Sequence, residues 1–208
     1  MELIVFDLDG TLVDTQGILI DALNKFSDRY NFKKIDQEVI VELRNTQSVN
    51  FLKVLDISLW RAPFLLRNVQ KMVGTSIGTL GLVEGMPDVL LALKKQGFIL
   101  GVGTSNSKQN ADLFFEKYKG KYFDFKETNI SPFGKHRVLK KIAKKYGVLH
   151  EDMYYVGDET RDVVAAKKVG ISSIAVTWGF NSRKILETMK PSHIVDTPSG
   201  ILDFIQRK

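Results

Sequence analysis

Apolar residues follow two rhythms along this chain. Short, mostly β-branched or aromatic runs occur at Leu3–Phe6, Phe98–Gly103, Met153–Val156, Ser173–Thr177 and His193–Val195, with a weaker one near Phe123–Lys126. Runs of this length and composition predict strands. Between them, apolar positions recur every three or four residues, the spacing of a helix with one buried face. This spacing predicts helices over Ile18–Tyr30, Gln37–Arg44, Ser48–Leu55 and Ser58–Ile77 in one block, then singly over Pro87–Gln96, Ser107–Tyr118, Lys135–Tyr146, Thr160–Val169 and Asn181–Met189. Pro87 in a first turn and glycines at 97, 147 and 170 punctuate the later helices. Strand–helix alternation predicts an α/β core with a parallel sheet covered on both faces. The helix-only block is read as an insertion. Residues 1–15 and 81–208 form the core and 16–80 a small all-α unit, with hinges at Asp14–Gly17 and around Gly74, Gly78 and Gly81.

The first strand runs into two carboxylates, Asp7 and Asp9, with Leu8 between them. In extended chain, residues two apart point the same way, so both acids can face one volume while Leu8 turns to the core. Such close anions call for a shared proton or a cation. Gly10 lets the backbone turn away, and the Thr11 hydroxyl can tie the turn to the acidic group. An EF-hand calcium loop fits poorly: aligning Gly10 with that motif's glycine puts Val5 at the first ligand position and Gln16 at the last. Open parallel sheets bind ligands beyond the carboxyl ends of their strands. The polar residues expected there are Asp7 and Asp9, then Thr104-Ser105-Asn106, then Gly157-Asp158-Glu159-Thr160-Arg161-Asp162, with Lys135 at a helix start.

Composition narrows the classes. A length of 208 residues, 44% hydrophobic and 26% charged, suits one core plus a small accessory unit. No apolar run approaches the ~20 residues of a membrane span, so no membrane partner is expected. There is no cysteine, which excludes disulfide and thiolate chemistry. Acidic residues by position 7 argue against a secretory signal, and a cytoplasmic location is the default expectation. The net charge of +6 raises nucleic acid as a partner, yet the lysines cluster in helical stretches such as 135–145, where a solvated face is the simpler account. His136, His150 and His193 lack metal-ligand spacing.

The stretches DLDGT, TSN, the lysine of FGK, and GDETRD resemble, in order and spacing, the four motifs of the haloacid-dehalogenase-like hydrolase superfamily. The helical block resembles the cap of its phosphoglycolate-phosphatase-like branch. The resemblance implies a Rossmann-like three-layer α/β/α core with strand order 3-2-1-4-5, so that Asp7 and Asp158 lie side by side. It implies a Mg²⁺-dependent phosphatase acting on a small phosphorylated metabolite through an aspartyl-phosphate. Asp7 would be the nucleophile and Asp9 the acid and base. The Mg²⁺ would be held by Asp7, the Asp9 backbone carbonyl and Asp158, with Asp162 holding a metal-bound water or fixing Lys135. Thr104, the Ser105 backbone N–H and Lys135 would bind the phosphoryl oxygens, with Gly10, Thr11 and Asn106 also at the phosphate. Arg44, in the loop Arg44-Asn45-Thr46-Gln47-Ser48, would contact the leaving alcohol, and Trp178-Gly179-Phe180-Asn181 could meet the cap. Two departures stand out: Glu159 takes a place where serine or threonine is common, and His136-Arg137 replace the usual proline after the lysine. The alternatives are a sugar phosphomutase of the same superfamily, a nucleic-acid-binding module, and an acidic metal-binding protein without catalysis.

Overall fold

The structure is a computed structural model that describes residues 1–118, 120–131 and 134–206. Phe133 of the FGK stretch lies outside the described residues, and Lys135 within them.

Strand β1 (Leu3–Phe6) is fully buried and sits at the centre of a sheet of parallel strands. Its neighbours are β2 (Ile99–Gly103) and β4 (Met153–Gly157), with β3 (Phe125–Glu127) beyond β2, and β5 (Ser172–Val176) then β6 (His193–Val195) beyond β4. The order 3-2-1-4-5-6 extends the expected one by the last strand. The register pairs Leu3 with Ile99 on one side and with Met153 on the other.

Alternation along β1 serves two apolar layers. Ile4 and Phe6 pack with α5 (Met86–Lys95), α6 (Lys108–Tyr118) and α10 (Ser199–Gln206). Leu3 and Val5 pack with α7 (Lys135–Tyr146) and α8 (Thr160–Val169). Asp7, next in the odd series, therefore faces the layer that carries Lys135 and Asp162. Leu8 is buried in the first layer, as its spacing predicts.

Residues 16–77 form α1 (Gln16–Tyr30), α2 (Gln37–Arg44), a 3₁₀ turn at Ser48–Asn50, α3 (Phe51–Val54) and α4 (Ala62–Ile77), with an apolar cluster of their own. Helix α4 starts four residues later than its spacing suggests. Ser58–Arg61 closes as a turn, and Pro63 takes an early position where its missing N–H costs nothing. Helix α9 (Arg183–Thr188) also starts late, because Ser182 caps it and Asn181 is committed elsewhere. Helix α10 was not expected from the sequence.

Candidate active site

The site gathers at the carboxyl ends of β1, β2 and β4. After β1 the Asp7 N–H bonds the Val156 carbonyl (2.8 Å), then the chain folds back on itself, with the Leu12 and Val13 amides both reaching the Leu8 carbonyl. Gly10 makes this turn at φ +74°, and a Cβ there would collide with the Asp158 carboxylate. Thr11, fully buried, donates its hydroxyl to Asp158 Oδ1 (2.8 Å), so it does tie the turn to the acidic group.

Asp7, Asp158 and Asp162 are all buried, and one carboxylate oxygen from each lies within 4.8 Å of the others. Lys135, only 2% exposed, bridges two of them, with Nζ 2.5 Å from Asp7 Oδ2 and 2.5 Å from Asp162 Oδ1. Asp7 Oδ1 accepts the Leu8 N–H. Asp158 Oδ2 accepts the Phe180 N–H (2.7 Å). Asp162 Oδ2 accepts the Glu159 N–H, and Glu159 completes a capping box on α8.

Burial raises the Asp7 carboxyl to about 7, against the opposing pull of the Lys135 ammonium. Burial and the facing carboxylates of Glu159, Asp162 and Asp7 hold Asp158 well above the ordinary carboxylate range. Lys135, despite its burial, is held well above the usual lysine range by Asp162 and Asp7. Three carboxylates surround one ammonium, and the upward shifts of Asp7 and Asp158 show that their ionised forms lack enough positive charge nearby. An all-oxygen donor set with uncompensated charge fits a hard divalent cation.

Asp9 is half-buried and is not one of the three clustered carboxylates; its side chain accepts both contacts of the Asn106 amide (3.0 and 3.2 Å), and the Thr15 side chain also favours its charged form. Desolvation raises its pKa, and these hydrogen bonds oppose the rise. Asn106 in turn accepts the Asn110 amide (2.8 Å), and Asn110 also donates to the Gln70 carbonyl of α4 (2.7 Å). Thr104, fully buried, accepts the Asn106 N–H on its hydroxyl (2.9 Å), and the Ser105 carbonyl accepts from the Gln70 side chain.

Residues 44–51 of the helical segment bond and pack against Thr160, Phe180 and Asn181. Asn181 donates to the Thr46 and Arg44 carbonyls, the Ser48 N–H bonds the Thr160 hydroxyl, and the Phe51 and Phe180 rings meet at 4.9 Å. The Arg44 guanidinium donates to the Gly179 carbonyl (2.9 Å) and to Gln16. Thr15 and Asn110 are not singled out by the sequence, and Arg161 is named there only as part of its stretch, without a role. Arg161 belongs to the GDETRD stretch itself, while Thr15 and Asn110 stand a few residues beyond their motifs.

A family model described as haloacid dehalogenase-like hydrolase matches residues 4–176. The chain belongs to the haloacid dehalogenase-like hydrolase family. Within it the chain is phosphoglycolate-phosphatase-like: it is 34% identical over 206 residues to a phosphoglycolate phosphatase of Synechococcus elongatus, covering 99% of this chain and 97% of that one. It is 25% identical to the pyrophosphatase PpaX of Bacillus mycoides, over 98% and 96% of the two chains. Among solved structures, a protein from Clostridium acetobutylicum described as a predicted phosphatase shares the fold, with a TM-score of 0.84 at 22% identity, covering 100% of this chain and 99% of that one. Among the described residues of this family member, no helix is long and apolar enough to cross a membrane.

Proposed function

We propose that this chain is a Mg²⁺-dependent phosphatase of small phosphorylated metabolites, working through a phosphoaspartate on Asp7, with residues 16–80 as a substrate-covering cap. The observation that carries the reading is the buried Asp7–Asp158–Asp162 cluster with Lys135 held inside it. Asp7, Asp158 and the Asp9 carbonyl would hold the ion, with Asp162 keeping Lys135 in place. When bound, Mg²⁺ supplies the positive charge that lets an anionic carboxylate approach an anionic ester.

Asp7 attacks phosphorus, the phosphorus–oxygen bond to the alcohol breaks, and the electron pair leaves with that oxygen. Asp9 donates the proton that makes the departing group an alcohol, a role helped by its raised pKa. Water then attacks the phosphoaspartate while Asp9 takes its proton, releasing phosphate and restoring Asp7. Thr104 already accepts the Asn106 N–H, so its own hydroxyl hydrogen can be donated to a phosphoryl oxygen, alongside Lys135 and the Ser105 N–H. Asn106 then acts by orienting Asp9, and Gly10 and Thr11 by shaping the turn and holding Asp158.

The test is phosphate release from a panel of phosphorylated metabolites, with and without Mg²⁺, in wild type and Asp7→Asn. Release that needs Mg²⁺ and is lost in Asp7→Asn supports the reading. Isomerisation of a hexose 1-phosphate without free phosphate would assign a mutase instead.

A further inference from the structure

The cap contains an apolar cavity of about 260 Å³ that the phosphate chemistry does not use. Leu23, Ile40, Leu43 and Leu65 are among its walls, as is the Phe51–Phe180 ring pair. Val49 and Leu66, 52% and 43% exposed, also line it and give it access to solvent. Well-packed interiors leave few voids larger than a water molecule, and an apolar cavity of about 150 Å³ is already enough to take up benzene.

This cavity shares a wall with the acidic site. The Phe180 backbone N–H bonds Asp158 Oδ2 while its ring lines the cavity. Arg161 and Val49 line both this cavity and a smaller one of about 120 Å³ that reaches Lys135. The polar groups lining the larger cavity are Ser48, Glu159 and Arg161. The Arg161 guanidinium is already balanced by Glu159, 2.5 Å away, so the pair offers no net charge to a second anionic group. The Arg161 Nε–H, by contrast, is buried and without a hydrogen-bond partner.

We propose that the cavity receives the apolar body of the substrate's alcohol. The preferred substrate is then a phosphate monoester of an aliphatic or aromatic alcohol, and not of a short carboxylic acid such as glycolate. The inference rests on the phosphatase reading above and names the substrate class of the same site. Each methylene moved from water into an apolar cavity is worth about fourfold in binding.

The experiment compares methyl, n-butyl and n-hexyl phosphate with 2-phosphoglycolate in Mg²⁺. KM is expected to fall at least about tenfold from methyl to n-hexyl phosphate with kcat little changed, and 2-phosphoglycolate to rank with the short esters. Leu23→Trp, which fills the cavity, should remove the ratio between hexyl and methyl esters. Because that variant can misfold, calorimetric binding of n-hexylphosphonate and methylphosphonate to the wild type provides a second measurement, with at least about tenfold tighter binding of the hexyl compound expected. Equal KM values along the series, or preference for 2-phosphoglycolate, would overturn the inference and leave the phosphatase reading intact. If no ester is hydrolysed, the phosphatase reading fails, and the phosphonate comparison alone decides whether the cavity binds apolar chains.

Discussion

Lowering the pH should weaken Mg²⁺ binding by an amount the structure sets. The ion needs Asp7 ionised, yet burial places that carboxyl at about 7. Near pH 8.5 Asp7 is almost wholly ionised; near pH 5.5 only about one molecule in thirty is, so Asp7 alone should reduce the apparent affinity roughly thirtyfold, about 2 kcal/mol. Asp158 is also raised, so the true loss is at least this large. The sign for folding follows from the same shift. With Asp7 at 3.8 in the unfolded chain and about 7 in the fold, the metal-free native state binds more protons between those values, and Asp7's contribution to stability falls as pH rises through that window. Titration calorimetry of the ion across this range, in two buffers of different ionisation enthalpy, reads the affinity and the protons released on binding, and denaturant unfolding of the metal-free protein at the same pH values reads the stability. Release of about one or more protons per ion near pH 5.5, falling as the pH approaches 8.5, is expected. Equal affinity at both ends with no proton release would refute the argument.

Two substitutions probe how the cap reaches the chemistry. Asn110→Leu breaks the chain from the Gln70 carbonyl through Asn106 to Asp9, and should lower kcat about tenfold with KM nearly unchanged, since binding does not use Asn110; a pure KM effect would contradict it. Arg44→Ala removes the bond to the Gly179 carbonyl that latches the cap to the 178–181 loop, and should raise KM for all esters alike; a rise confined to one substrate would instead support direct contact between Arg44 and the leaving alcohol.

The strands were legible because each buried run is short, apolar and closed by polar residues, as at Leu3–Phe6 before Asp7, whereas the order of the first five came from the family resemblance. The acidic cluster was legible because parallel strands put their carboxyl ends on one edge. Alternation along β1 also explains why Asp7 meets Lys135 and Asp162 on α7 and α8. What the sequence hid depends on tertiary closure. Asn110 looks like an ordinary helical polar residue until α4 of the cap packs against it, and Asn181 becomes a clasp only because the Arg44–Thr46 carbonyls are brought to it. The cap cavity was equally invisible, since its walls have the same helical periodicity as a filled core. Helix α10 was missed because Pro198 and Gly200 interrupt the pattern at its start.

The phosphatase reading depends on Asp7 being the nucleophile that accepts the phosphoryl group. The direct measurement is a crystal structure of the protein with Mg²⁺ and beryllium fluoride, a mimic of the phosphoryl group. The account predicts beryllium bonded to an Asp7 carboxylate oxygen, with the ion touching Asp7 and Asp158. Beryllium fluoride bound to any other side chain, or an ion that does not join those two carboxylates, would contradict it.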